Sequence, residues 1–123
     1  MATLTPTLTL SSTNMNGDVL NLSTSDSLSI LGQVTSKQVV ATTTGVVFAT
    51  AANYTKSYVY LKNLSTTATE IITIEKGDGL DEYLTLGAGE FAFFPWASTV
   101  NLALDTAAGS PVLEVRIFQE AAV

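Results

Sequence analysis

No cysteine and no histidine occur among the 123 residues. Without thiols there is no disulfide, no thiolate nucleophile and no cysteine-based metal site, which fits a reducing compartment of synthesis. Without imidazole the commonest general base is missing. A metal-dependent cupin, the enzyme class nearest to the strand pattern described below, loses its usual ligands with it. The chain is therefore read as a non-enzyme with no catalytic residue, no cofactor and no metal. Basic residues are scarce as well: Lys37, Lys56, Lys62, Lys76 and Arg116 stand singly. No cluster exists to displace counterions from phosphates, so neither nucleic acid nor an anionic membrane is expected as a partner. No stretch approaches the ~20 apolar residues of a membrane helix, and the opening MATLTPTLTLSS has neither a basic start nor a long apolar run, so no signal peptide is expected. Aromatic residues are absent before Phe48.

What is present is apolar and hydroxyl-rich. Apolar residues make up 46% and charged residues only 13%, with a net charge of −6. Ser and Thr fill roughly a quarter of the chain, and Thr and Val suit a pleated surface. So little charge suggests a surface covered in good part by neighbours rather than by water. The length implies one domain with room for a real core. Three Asn-x-Ser/Thr triplets begin at Asn21, Asn53 and Asn63. In a chain this rich in Ser and Thr they read as coincidence.

From Tyr58 to Trp96 one strand follows another, joined by short turns: YVYLKNL, TEIITIEKG, EYLTLGAGE and EFAFFPW. Alternation puts Val59 and Leu61 on one face and Tyr58, Tyr60 and Lys62 on the other. Ile72, Ile74, Leu84, Leu86, Val100, Leu102, Leu104, Leu113, Val115 and Ile117 continue the core. Thr73, Glu75, Glu114 and Arg116 are expected to point outwards. The pattern predicts an all-β, antiparallel β-sandwich or jelly-roll-like single domain over 1–123. A short helix around TAANYTK is weakly signalled.

The N-terminal part is less regular. Leu4/Leu8/Leu10, Val19–Leu22, Leu28–Leu31 and Val39–Thr43 read as weaker strands. Asn16-Gly17 signals a turn, and Gly32 and Gly45 are expected to break the later runs. Pro6 confines the first strand to an edge or a free arm. Residues 1–35 are thus either the first strands of the sandwich or an arm laid against a neighbour.

In EFAFFPW, Phe91 and Phe93 point to one face while Phe94 and Trp96 point to the other. Both faces cannot meet water without a large aromatic patch. Either the strand is buried on both sides or another subunit covers one of them. Tyr58, Tyr60, Phe94 and Trp96, with Leu4 and Leu8 of the arm, are the candidate interface residues.

Two further patterns carry little. Gly87-Ala-Gly89-Glu-Phe-Ala92 has the letters of a dinucleotide fingerprint, but a strand follows where a helix is required. Those glycines are expected to turn a hairpin. Glu75, Asp78, Asp81 and Glu82 surround Gly77 and Gly79, a spacing that oxygen ligands for calcium could use, though acidic turns are usually just solvated. A carbohydrate- or calcium-binding module using Tyr58, Tyr60 and this loop is one alternative function.

The segment NLSTTATEIITIEKGDGLDEYLTLGAGEFAFFPW resembles small β-sandwich virion proteins of tailed bacteriophages. The shared elements are Asn63 at a strand end, the turn at Thr66-Thr67, the apolar strand Ile71–Ile74, the acidic loop Asp78–Glu82 and the Leu84–Phe91 hairpin. ATLTPTLTLSS and VLNLSTSDSLSI are similar to the openings of such proteins. The resemblance implies a structural subunit on the virion surface, made in the host cytoplasm. A capsid decoration or cement protein is the first expectation, and a tail, neck or fibre subunit the alternative. Its partners would be the major capsid protein or another virion protein and further copies of itself, as a trimer before other cyclic forms. The family has no catalytic residues to carry over.

Overall fold

The computed structural model describes residues 2–15, 18–77 and 81–121. They form eleven strands: β1 (Ala2–Leu4), β2 (Thr7–Met15), β3 (Asp18–Ser25), β4 (Leu28–Val40), β5 (Val46–Ala49), β6 (Ser57–Asn63), β7 (Ile72–Lys76), β8 (Asp81–Leu86), β9 (Phe91–Trp96), β10 (Leu102–Thr106) and β11 (Val112–Glu120). Around TAANYTK there is a single 3-10 turn, Ala51–Asn53, rather than an α-helix.

Two sheets pack face to face. One has the order β1-β4-β11-β6-β9 and the other β5-β10-β7-β8, with every pairing antiparallel. The pairing is nested: β7 lies on β8, β6 on β9, β5 on β10 and β4 on β11. A long hairpin rolled up across two sheets has this connectivity, which is that of a jelly roll. The expected antiparallel β-sandwich is therefore the observed fold.

Alternation explains the core. Val59, Leu61, Leu113, Val115 and Ile117 from the larger sheet meet Ile72, Ile74, Leu86, Leu102 and Leu104 from the smaller one, each at most 3% exposed. Phe48 and Trp96 belong to the same cluster, and Leu84 and Phe94 pack against it.

Several local expectations fail for identifiable reasons. Val100 is exposed because β10 begins only at Leu102; its carbonyl accepts a hydrogen bond from Trp96 Nε1 at 3.1 Å. Gly32 does not end a strand. It lies inside β4, where Ile30 pairs Glu120 and Val34 pairs Phe118, so three residues stand opposite Gln119 alone. The glycine marks a bulge. Gly45, at φ 80°, does turn the chain before β5. Gly89, at φ 77°, also sits in a turn, but that turn is no hairpin: β8 lies at the edge of one sheet and β9 at the edge of the other. Glu75 is buried, not outward in water, because the turn at Thr43–Gly45 and Asp105 of β10 close around it in a small hollow. The Asn16-Gly17 turn lies outside the described residues, as do Asp78 and Gly79 of the acidic loop.

Residues 1–35 combine both expected roles. β1 pairs β4 as an edge of the larger sheet, whereas β2 and β3 pair only each other. Leu4 faces Leu28 and Thr7 faces Ser25, so the same register runs through both pairs, and Asp26 N–H donates to the Pro6 carbonyl at 3.2 Å between them. The result is one ribbon whose base belongs to the sandwich and whose end, the β2–β3 hairpin, projects from it.

Candidate interaction surface

The pairing of β6 with β9 sets Tyr60 opposite Phe93 and Lys62 opposite Phe91, while β11 sets Phe118 opposite Tyr58. These residues therefore share the outer face of the larger sheet. Phe91 is 61% exposed and Phe93 39%. Phe93 stacks on Tyr58, with ring centroids 6.4 Å apart. Tyr58 is otherwise pinned: its hydroxyl donates to Glu120 at 3.1 Å, and the Lys56 ammonium lies 5.4 Å from its ring centre. Lys56 also pairs Glu120 at 3.4 Å, and this hydrogen bond and charge raise the ammonium pKa.

A groove of about 630 Å³ opens beside this aromatic row, between Tyr60, Phe91 and Phe93 on one side and Pro6, Leu8 and Thr24 of the ribbon on the other. A shallower hollow next to it is lined by Leu4, Phe93 and Phe118. The ribbon thus leaves the body directly over the aromatic face.

The six candidate residues divide. Tyr60, Leu4 and Leu8 reach this surface, and Tyr58 supports it from below through Phe93. Trp96 and Phe94 do not. Trp96 is 5% exposed, in the core and against Tyr54, and Phe94 packs on the core and meets Tyr83 of β8 edge-on at 5.6 Å. The placement is a correction for those two: β9 turns that side towards the opposite sheet, so the aromatic side left open is Phe91 and Phe93. Alternation had already separated the two pairs, but only the distant partner β6 decides which pair faces inwards.

The hairpin adds Leu10 and Leu22 to Leu8 among the candidate interface residues. Leu8 faces Thr24 and Leu10 faces Leu22, so the three leucines lie on one side, with Thr9, Ser11, Asn21 and Ser23 on the other. Leu8, Leu10 and Leu22 are 43%, 44% and 45% exposed. At the base of the ribbon the same side is covered: Ile30 is 5% exposed and Leu4 and Leu28 are half-buried.

The polar residues have structural partners. Glu75 is drawn to a pKa above the ordinary carboxylate value by desolvation first, and then by Asp105 and Glu82. Among the described residues no group of three or more acids is arranged to hold a metal. Asn63 is fully buried and hydrogen-bonded, so its triplet is closed to modification. No helix among the described residues is long and apolar enough to cross a membrane. Comparison with family models, curated proteins and solved structures gives no significant match.

Proposed function

We propose that the chain is a structural subunit of a tailed-bacteriophage virion, a decoration protein that cements contacts between capsomers. The observation that carries this reading is the pairing of a well-filled sandwich with an apolar outer surface, the aromatic face and the leucine side of the hairpin. A body that needs no ligand to complete its core, and yet leaves rings and leucines open, suits a role in which neighbours complete the surface. The virion itself comes from the resemblance of residues 63–96 and of the opening segments to small phage proteins.

In this role the mechanism is physical. A subunit seated where capsomers meet adds buried area across several shell proteins, and many modest contacts act together because breaking one leaves the others closed. Copies of the chain would form a cyclic oligomer, a trimer before other forms, with the major capsid protein as the principal partner. The acidic surface keeps a crowded exterior soluble.

Co-sedimentation of the purified chain with expanded capsids tests the proposal, with tagged particles imaged by electron cryo-microscopy. Saturable binding and density on the shell are the expected results. Density confined to the tail, neck or fibres would assign the subunit there instead, and absence from the particle would end the virion reading.

A further inference from the structure

We propose that the leucine side of the β2–β3 hairpin docks on the aromatic outer face of a second copy of this chain. The inference concerns self-association and stands apart from the virion reading, since it requires no particle.

Three observations lead to it. First, a lone two-stranded hairpin is marginal in water, and this one shows Leu8, Leu10 and Leu22 to solvent. Its apolar side continues one that is covered at the ribbon's base by Ile30, Leu4 and Leu28, and is uncovered only where it projects. Second, the matching surface exists on the same chain, in Phe91, Phe93 and the groove beside them. Within one chain the hairpin reaches that face only at its base, where Leu8 and Thr24 line the groove; Leu10 and Leu22, farther along the ribbon, do not line it, and Phe91 stays 61% exposed. Third, the charges permit two copies to meet here. A chain of net charge −6 repels its own kind, yet residues 7–25 contain one acid, Asp18, and no base. The receiving face carries Lys62 opposite Phe91, Asp26 at the edge of the groove, and Glu114 paired with Arg116 at 3.2 Å, so these charges cancel and leave no net repulsion.

One docked hairpin is less than a stable interface needs, so the exchange is reciprocal. A stable interface uses about 20–30 residues a side. The hairpin strands supply nine and eight residues, and each copy also contributes a receiving face. Neither a nucleic acid nor an acidic protein surface suits a site so poor in basic charge.

Sedimentation of the full chain, and of variants at exposed positions, tests this. At about 100 µM the wild type should sediment well above its 12.9 kDa monomer mass. Phe91→Ser, and Leu10→Ser with Leu22→Ser, should each return it to that mass. Mixing the two variants should restore a weaker heterodimer, because one intact hairpin then meets one intact face. The chain has no cysteine, so single thiols report contacts cleanly. A Leu10→Cys copy mixed with a Phe91→Cys copy should form mixed disulfides in excess of Leu10–Leu10 pairs, which checks the contact without disrupting it. A wild type that stays monomeric, an oligomer unchanged by the serine variants, or a doubly substituted chain that closes its disulfide within one molecule would each overturn the proposal.

Discussion

Asn63 joins three segments through one side chain. Its amide nitrogen donates to the carbonyls of Glu70 and Leu86 at 2.9 and 3.0 Å, and its amide oxygen accepts from Ser65 N–H at 3.0 Å. Its backbone also bonds Glu90 and Gly89. Buried carbonyls left without donors are costly, so Asn63→Ala should lose about 2–4 kcal/mol in urea unfolding. Asn63→Asp should do no better, because a carboxylate has no proton to donate to either carbonyl. Glu75 is the opposite case, a buried acid at a cost. Its carboxyl holds its proton to higher pH in the folded state than the ordinary 4.5 of the unfolded chain. The folded state therefore binds more protons between those two values, and stability falls as pH rises through that window and stays lower above it. Glu75→Gln removes the ionisation. It should be more stable than wild type at neutral pH, with the advantage vanishing by about pH 4, as thermal melts at several pH values would record.

At the level of elements, β9 shows how one strand serves two surfaces. Trp96→Ala would open a cavity in the core and should cost about 3–5 kcal/mol, whereas Phe91→Ser, compared at dilutions where both chains are monomeric, should change stability by no more than about 0.5 kcal/mol. Chemical denaturation of the two variants measures the contrast. The β2–β3 hairpin is separable in the same sense. Replacing residues 7–25 by a short glycine link should leave the melting temperature of the dilute, monomeric chain within a few degrees, since β1 and β4 already meet at Leu4 and Leu28. Strands such as β6, β7 and β11 were legible in the sequence because each has one face in the core and alternates cleanly. β4 was not, because Gly32 has the same local chemistry in a bulge as in a break. The Gly87–Gly89 turn was misread for a related reason. A turn into a hairpin and a turn into the opposite sheet need similar residues, and only the partner of β9, some thirty residues earlier in the chain, distinguishes them. The interaction surface was half legible: its residues could be sorted into sides, but not into inside and outside.

For the molecule as a whole, nested pairing means that most contacts join residues far apart in sequence, from β7–β8 outwards to β4–β11. Loop closure must precede the gain from each such pairing, so folding should take milliseconds to seconds. Stopped-flow fluorescence of Trp96, the single tryptophan, would follow it, and microsecond folding would contradict the account. The continuous ribbon has a mechanical consequence. Any pull on the hairpin passes straight into β1 and β4, and β4 is held lengthwise against β11 from Val40–Val112 to Ile30–Glu120. Tension along that axis strains many backbone bonds at once in shear, instead of peeling them singly, so the protruding element is tethered to the body as a rope is to a splice.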